Sequence, residues 1–330
     1  MPYWLRPSWP SCWRQCFHHF GKRCQGFRHR CQGGQLTEHL VPDLPPGHSV
    51  ELPGRGTTFY RELVGPPGAP TLVLLHGWTA TADLNWFMCY TELAKHFRVI
   101  AIDHRGHGRG IRSSQPFRLS DCADDVAALM DQLGIATFIP VGYSMGGTIA
   151  QLMWKRHEHR VRGIVLSATA AHFVSSRQER IAFSLLNGIG AVARLTPSAL
   201  RRSISDRIYL SRKTMTWEPW AAQQVADHEW RAILEAGATL GNYDARSWLP
   251  TIDVPVAVIM TTDDQVVSPR RQKVLAEEIP NARVFEIAAN HDAVFARADE
   301  FVPILVEACL AVHTDAIARA VSPSSLGTSS

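Results

Sequence analysis

No uninterrupted apolar run in this 330-residue chain comes near the length of about 18 residues that a membrane-crossing helix needs. Acidic residues are absent from the first 37 positions, which hold six basic ones: Arg6, Arg14, Lys22, Arg23, Arg28 and Arg30. Setting those six aside leaves 28 of the 34 Lys and Arg, against 30 Asp and Glu. The body is therefore slightly acidic despite a formal charge of +4, which argues against a nucleic-acid surface. Cysteines are scarce where a disulfide framework would need them. Cys89, Cys122 and Cys309 lie singly in the body and read as free buried thiols in a reducing compartment.

The first stretch also lacks the aliphatic core of a secretory signal, so a cytoplasmic location is expected. Its basic, Trp-bearing composition would suit association with a membrane or envelope surface. Cys12, Cys16, Cys24 and Cys31 stand near His18, His19 and His29. The spacings, three residues between the first pair and six between the last, fit no common structural zinc pattern. Residues 1–35 are expected to be a disordered extension, or to precede a working start near Leu36.

What is present is an ordinary globular balance, 45% apolar and 19% charged, enough for one large α/β core. Within it, Gly142-Tyr143-Ser144-Met145-Gly146 joins the apolar run at Ile139-Pro140-Val141 to a helix-like stretch at residues 147–154. A serine on so tight a strand-to-helix turn leaves the common backbone regions, and glycines two places either side let the elements pack without a Cβ clash. Three further polar groups close apolar runs: His76-Gly77-Trp78 after residues 71–75, Asp264 after 254–260, and His291 after 283–287. In an open parallel sheet, strand ends of this kind share the one edge where ligands bind.

Strand and helix alternate along the body, which predicts a mostly parallel sheet with helices on both faces. Strands are expected on both sides of Pro53-Gly54-Arg55-Gly56 and at 98–102 and 161–166. Helices are expected at 84–96, 121–133, 272–279 and 300–312. The rhythm breaks at about 172–249, where several helices carry Trp217, Trp220, Trp230 and Trp248. The domain reading is a core of residues 36–170 and 250–314, a helical cap or lid at 171–249, and a frayed Ser-rich tail at 315–330.

These motifs resemble the α/β-hydrolase superfamily over roughly Val50 to Val312, in its bacterial carboxylesterase, lipase and thioesterase branch with a helical lid. The resemblance rests on His76-Gly77-Trp78, on Asp103, Arg105, Gly106 and Gly108, on the nucleophile elbow at Ser144, on Asp264 followed by x-Val-Val, and on His291. It implies Ser144 as nucleophile, His291 as base and Asp264 as orienting acid. The backbone N–H groups of Trp78 and Met145 would form an oxyanion hole, and Gly142 and Gly146 are the elbow glycines. Asp263 competes with Asp264, but the x-Val-Val segment favours Asp264. The family's other acid position, after residues 161–166, is Ser167-Ala168-Thr169-Ala170 and offers no carboxylate. His76 is expected to brace the oxyanion loop, and His104 and His107 to be loop residues without a metal.

The expected activity is hydrolysis of a small-molecule carboxylic ester, with thioesters as near neighbours, an apolar acyl chain, and no cofactor or metal. C–C hydrolysis or perhydrolysis on the same triad remains open, since fold and triad do not fix the substrate. A binding protein of another class would be expected to lack one triad member, and all three are present.

Overall fold

The computed structural model describes residues 42–174 and 219–321, with positions 176, 177, 179, 181, 183 and 185 between them. The extension at 1–35, with its cysteines, lies outside the described residues, as do the middle of the insertion and residues 322–330.

Eight strands form one sheet in the order β1-β2-β4-β3-β5-β6-β7-β8. β1 (Gly47–Leu52) and β2 (Gly56–Leu63) make a hairpin, and β2 pairs antiparallel with β4 (Arg98–Ile102). From β4 onward every pairing is parallel, through β3 (Thr71–Leu75), β5 (Ile139–Tyr143), β6 (Ile164–Ser167), β7 (Val256–Thr261) and β8 (Arg283–Ile287). β3, β5, β6 and β7 are buried along their whole length, which is why they read as unbroken apolar runs rather than alternating ones. β8, at the edge, is mostly exposed.

Helices α1 (Ala82–Trp86) and α2 (Tyr90–Ala94) come after β3. The single helix expected at 84–96 is thus two short ones, broken by a turn in which Cys89 N–H donates to Trp86 O at 2.8 Å. That turn lets both Trp86 and Tyr90 enter the core, where they are 0% and 2% exposed. α3 (Leu119–Gln132) buries Val126, Leu129 and Met130 as its periodicity predicts, and Gly134, at φ 64°, ends it. α4 (Met145–His157) leaves β5, α7 (Pro269–Glu278) comes after β7, and α8 (Ala293–Ala296) after β8.

The chain leaves the sheet after β6. The neck of this insertion is closed by a bridge between His172 and Asp244 and by Ala245 N–H donating to Ala171 O at 2.9 Å. Its described part includes α5 (Pro219–Ala226) and α6 (Trp230–Gly241), both bonded to loops beyond β3 and β4.

The closing helix, α9 (Ala298–Val321), corrects the expected tail, because residues 315–321 continue it. Asp315 forms a bidentate pair with Arg283 at 2.7 Å, and Arg319 donates to Asp253 O at 2.5 Å; these contacts hold the last turns against the body. By length and composition α9 could cross a membrane. It nevertheless lies on the sheet, with Phe301, Leu305, Ala308, Cys309 and Val312 buried against the β6–β8 side.

Candidate active site

Ser144 sits between β5 and α4 with φ 54° and ψ −117°, a conformation costing roughly 1–3 kcal/mol that only surrounding contacts can sustain. Its N–H donates to Ser167 O at 2.9 Å, and its carbonyl accepts from Thr169 Oγ1 at 2.8 Å and Gly147 N–H at 2.9 Å. A Cβ on Gly142 would collide with the carbonyl of Gly146, and one on Gly146 with the carbonyl of Leu75. The two elbow glycines are there for lack of room.

The loop after β7 carries Asp264 with its side chain fully buried, whereas Asp263 faces solvent. Oδ1 of Asp264 accepts from the N–H groups of Val266 and Val267, both at 2.8 Å. Oδ2 accepts from Thr261 Oγ1 at 2.7 Å and Gln272 Nε2 at 3.2 Å, and lies 2.7 Å from His291 Nδ1. The x-Val-Val segment therefore has a physical meaning: its two backbone donors orient the carboxylate. On the far side of the imidazole, His291 Nε2 is 3.0 Å from Ser144 Oγ. The structure thus brings Ser144, His291 and Asp264 into one hydrogen-bonded line. It leaves Asp263 out.

His291 is held by its backbone as well. Asn290 Oδ1 accepts from His291 N–H at 2.7 Å and from Gln265 N–H at 3.0 Å, while Tyr143 Oη donates to His291 O at 2.7 Å.

The loop expected to carry an oxyanion donor begins where β3 ends. Gly77 passes so close that a Cβ on it would meet Ser144 Cβ at 3.4 Å. Its N–H donates to Asn85 Oδ1 at 3.0 Å, and its carbonyl accepts from His76 Nδ1 at 2.8 Å. His76 Nε2 accepts from His104 N–H at 2.9 Å, which sets the tautomer. Fixing the Gly77 carbonyl fixes the plane of the next peptide, so the Trp78 N–H points the opposite way. Among the described residues, neither the Trp78 nor the Met145 N–H has an acceptor. The Met145 N–H is the first of α4, at the positive end of a 13-residue helix.

His76, His104 and His107 are more than loop residues. Together with His228 from the insertion they form a buried group, with ring centroids 4.2 Å apart for His76–His104, 5.3 Å for His76–His107 and 5.4 Å for His107–His228. Burial pushes His76 and His228 down to about 4 and the other two well below the usual histidine range, so all four are neutral. Among the described residues no group is arranged to hold a metal ion.

Gln272, Asn85, Tyr143 and Thr261 had no signal in the sequence. Each is a common polar residue with an ordinary element around it, and its role exists only through a partner brought close by folding.

The family model described as the alpha/beta hydrolase fold matches residues 70–298. The chain is similar to a proposed carbamate hydrolase, RutD, of Yersinia enterocolitica. The two are 32% identical over 234 residues, covering 68% of this chain and 81% of that protein. It is similar to a non-heme chloroperoxidase of Streptomyces lividans, 30% identical over 227 residues, with 64% and 80% covered. Among solved structures, the enol-lactonase from Burkholderia xenovorans LB400 superposes with a TM-score of 0.64 at 28% identity, over 80% of this chain and 100% of that one.

Proposed function

The chain belongs to the α/β-hydrolase family, and from that premise we propose that it is a serine hydrolase cleaving small carboxylic esters through an acyl-enzyme on Ser144. What supports this most is the contact of Ser144 Oγ with His291 Nε2 at 3.0 Å, continued to Asp264 at 2.7 Å. A serine alcohol is too weak a nucleophile near neutral pH without a base in such contact. His291 takes the proton as Ser144 Oγ attacks the acyl carbon, then delivers it to the leaving group. Asp264 keeps Nδ1 protonated and stabilises the imidazolium. Charge gathering on the acyl oxygen meets the N–H groups of Trp78 and Met145; one such donor is worth about 3 kcal/mol in the transition state. Water activated by His291 then repeats the attack on the acyl-enzyme and frees Ser144.

Two of the similar proteins point the same way in their names. A lactone is an internal ester, and a carbamate is cleaved at an acyl carbon. Ser144→Ala is expected to abolish turnover of short-chain p-nitrophenyl esters and labelling by a fluorophosphonate probe. Survival of either would reject the assignment. Offering oxygen esters and acyl-CoA thioesters of matched chain length to the wild-type protein separates ester from thioester preference.

A further inference from the structure

The Trp78 side chain does something its backbone role does not require. Its indole Nε1–H donates to the main-chain carbonyl of Ile233, near the start of α6, at 2.8 Å across 155 positions of sequence. The ring lies against the same apolar cluster as Ala232, Ala236 and Leu240 of that helix. α6 is itself immobilised. Glu229 N–H donates to Gly106 O and Gly108 N–H to His228 Nδ1, both at 2.9 Å, and Glu235 Oε2 accepts from Phe117 N–H at 2.8 Å. Further along the oxyanion loop, Thr81 Oγ1 donates to Gln224 Oε1 of α5 at 2.8 Å, and Leu84 packs on Ala221 and Val225. The loop therefore has two kinds of support. The core holds Gly77, and the cap holds Trp78 and Thr81 and packs on Leu84 of α1, where the loop ends.

Resting on the serine-hydrolase reading, we infer that Trp78 is also a positioning residue through its side chain: its indole ties the oxyanion donor to cap helix α6, so the docked cap sets the aim of the hole. The physical argument is one of leverage. The donor N–H and the indole belong to the same residue, separated by Cα and Cβ, so restraining the ring restrains the rotation of the peptide that carries the donor. Thr79, immediately after it, is held at φ 62°, a backbone state that the free loop would readily abandon. A hole displaced by about 1 Å still binds substrate in its ground state, yet forfeits up to roughly a hundredfold in rate.

The test is Trp78→Phe, which keeps an aromatic ring and the backbone donor but deletes the indole N–H. We expect kcat for a p-nitrophenyl ester to fall roughly tenfold to a hundredfold with KM within about twofold. Affinity for a trifluoromethyl ketone, whose hemiketal oxyanion occupies the hole, should fall by the same factor as kcat/KM. A raised KM at unchanged kcat would show the ring to be a wall of the substrate pocket and overturn the inference. So would unchanged kcat and unchanged inhibitor affinity. If the Phe variant melts early, benzothienylalanine at position 78, which replaces only the N–H by sulfur, carries the same expectations and the same refutations. Ser144→Ala assayed alongside keeps the two ideas apart. Activity retained there would sink the hydrolase reading, whereas a dead Ser144→Ala beside a fully active Trp78→Phe would sink only the role of the indole.

Discussion

The two sides of the site are held in different ways. On the side proposed to transfer the proton, Ser144, Asp264 and His291 stand past the ends of β5, β7 and β8, and their supports, Thr261, Gln272, Asn290 and Tyr143, all belong to the sheet or its flanking helices and loops. On the side proposed to stabilise charge, the Trp78 N–H rides on a loop gripped partly by the core, through His76 and Asn85, and partly by the insertion, through Ile233 and Gln224. The first side is as rigid as the sheet. The second depends on an insertion whose chain departs after Ala171 and returns at Ala245.

The sharpest way to break this contrast is at the carboxylate. Asp264→Asn should lower kcat by roughly 10⁴, because the amide presents the imidazole with a donor and selects the wrong tautomer. Asp263→Asn, on an exposed side chain, should change it by less than about twofold. The reverse ranking, read from steady-state rates, would move the acid one place back.

Acid should strike the loop-and-cap side. His76 and His228 titrate at about 4 in the fold because burial disfavours their charged forms. Unfolded, each would titrate near 6.5, so between those values the unfolded chain binds protons that the folded one refuses. The neutral-state stability is complete above about pH 6.5. It is lost as pH falls towards 4, by at most about 3 kcal/mol for each of the two. Urea midpoints measured across this window should drop with pH. His228→Asn, which can still accept from Gly108 N–H, should flatten the slope, and an unaltered slope would exonerate His228.

Asn85→Ala removes one of the core's two grips on Gly77, leaving that of His76, and should cost roughly tenfold to a hundredfold in kcat with little change in KM. A wild-type rate would mean that His76 and the insertion suffice to position the loop. Least affected should be Tyr143→Phe. It loses one hydrogen bond to the His291 carbonyl, worth about 1 kcal/mol, while Asn290 still holds the same residue, so a fewfold loss in kcat is expected.

The proton-transfer side is the legible one. Ser144, Asp264 and His291 each carry distinctive chemistry; the first two follow apolar runs that read as buried strands, and His291 follows the exposed edge strand β8, so residue type and position agree. β4 and β8 match their expected bounds. Residues 84–96 read as a single helix because their apolar positions suit one helix as well as two; only the core's demand for both Trp86 and Tyr90 decides between them. The cap's contribution is hidden more deeply. The partner of the Trp78 indole is a main-chain carbonyl, which has no letter in the sequence, and His228 meets His107 from a distant part of the chain with nothing in the local pattern to announce it.

The left-handed turn at residue 144 also chooses among alcohols. At φ 54°, a side chain branched at Cβ is driven into its own backbone, so threonine, chemically an equally competent alcohol, should be refused on steric grounds. Cysteine, unbranched, would fit the same corner with no new backbone penalty. The preference for a primary hydroxyl is thus written into a torsion angle before any substrate arrives.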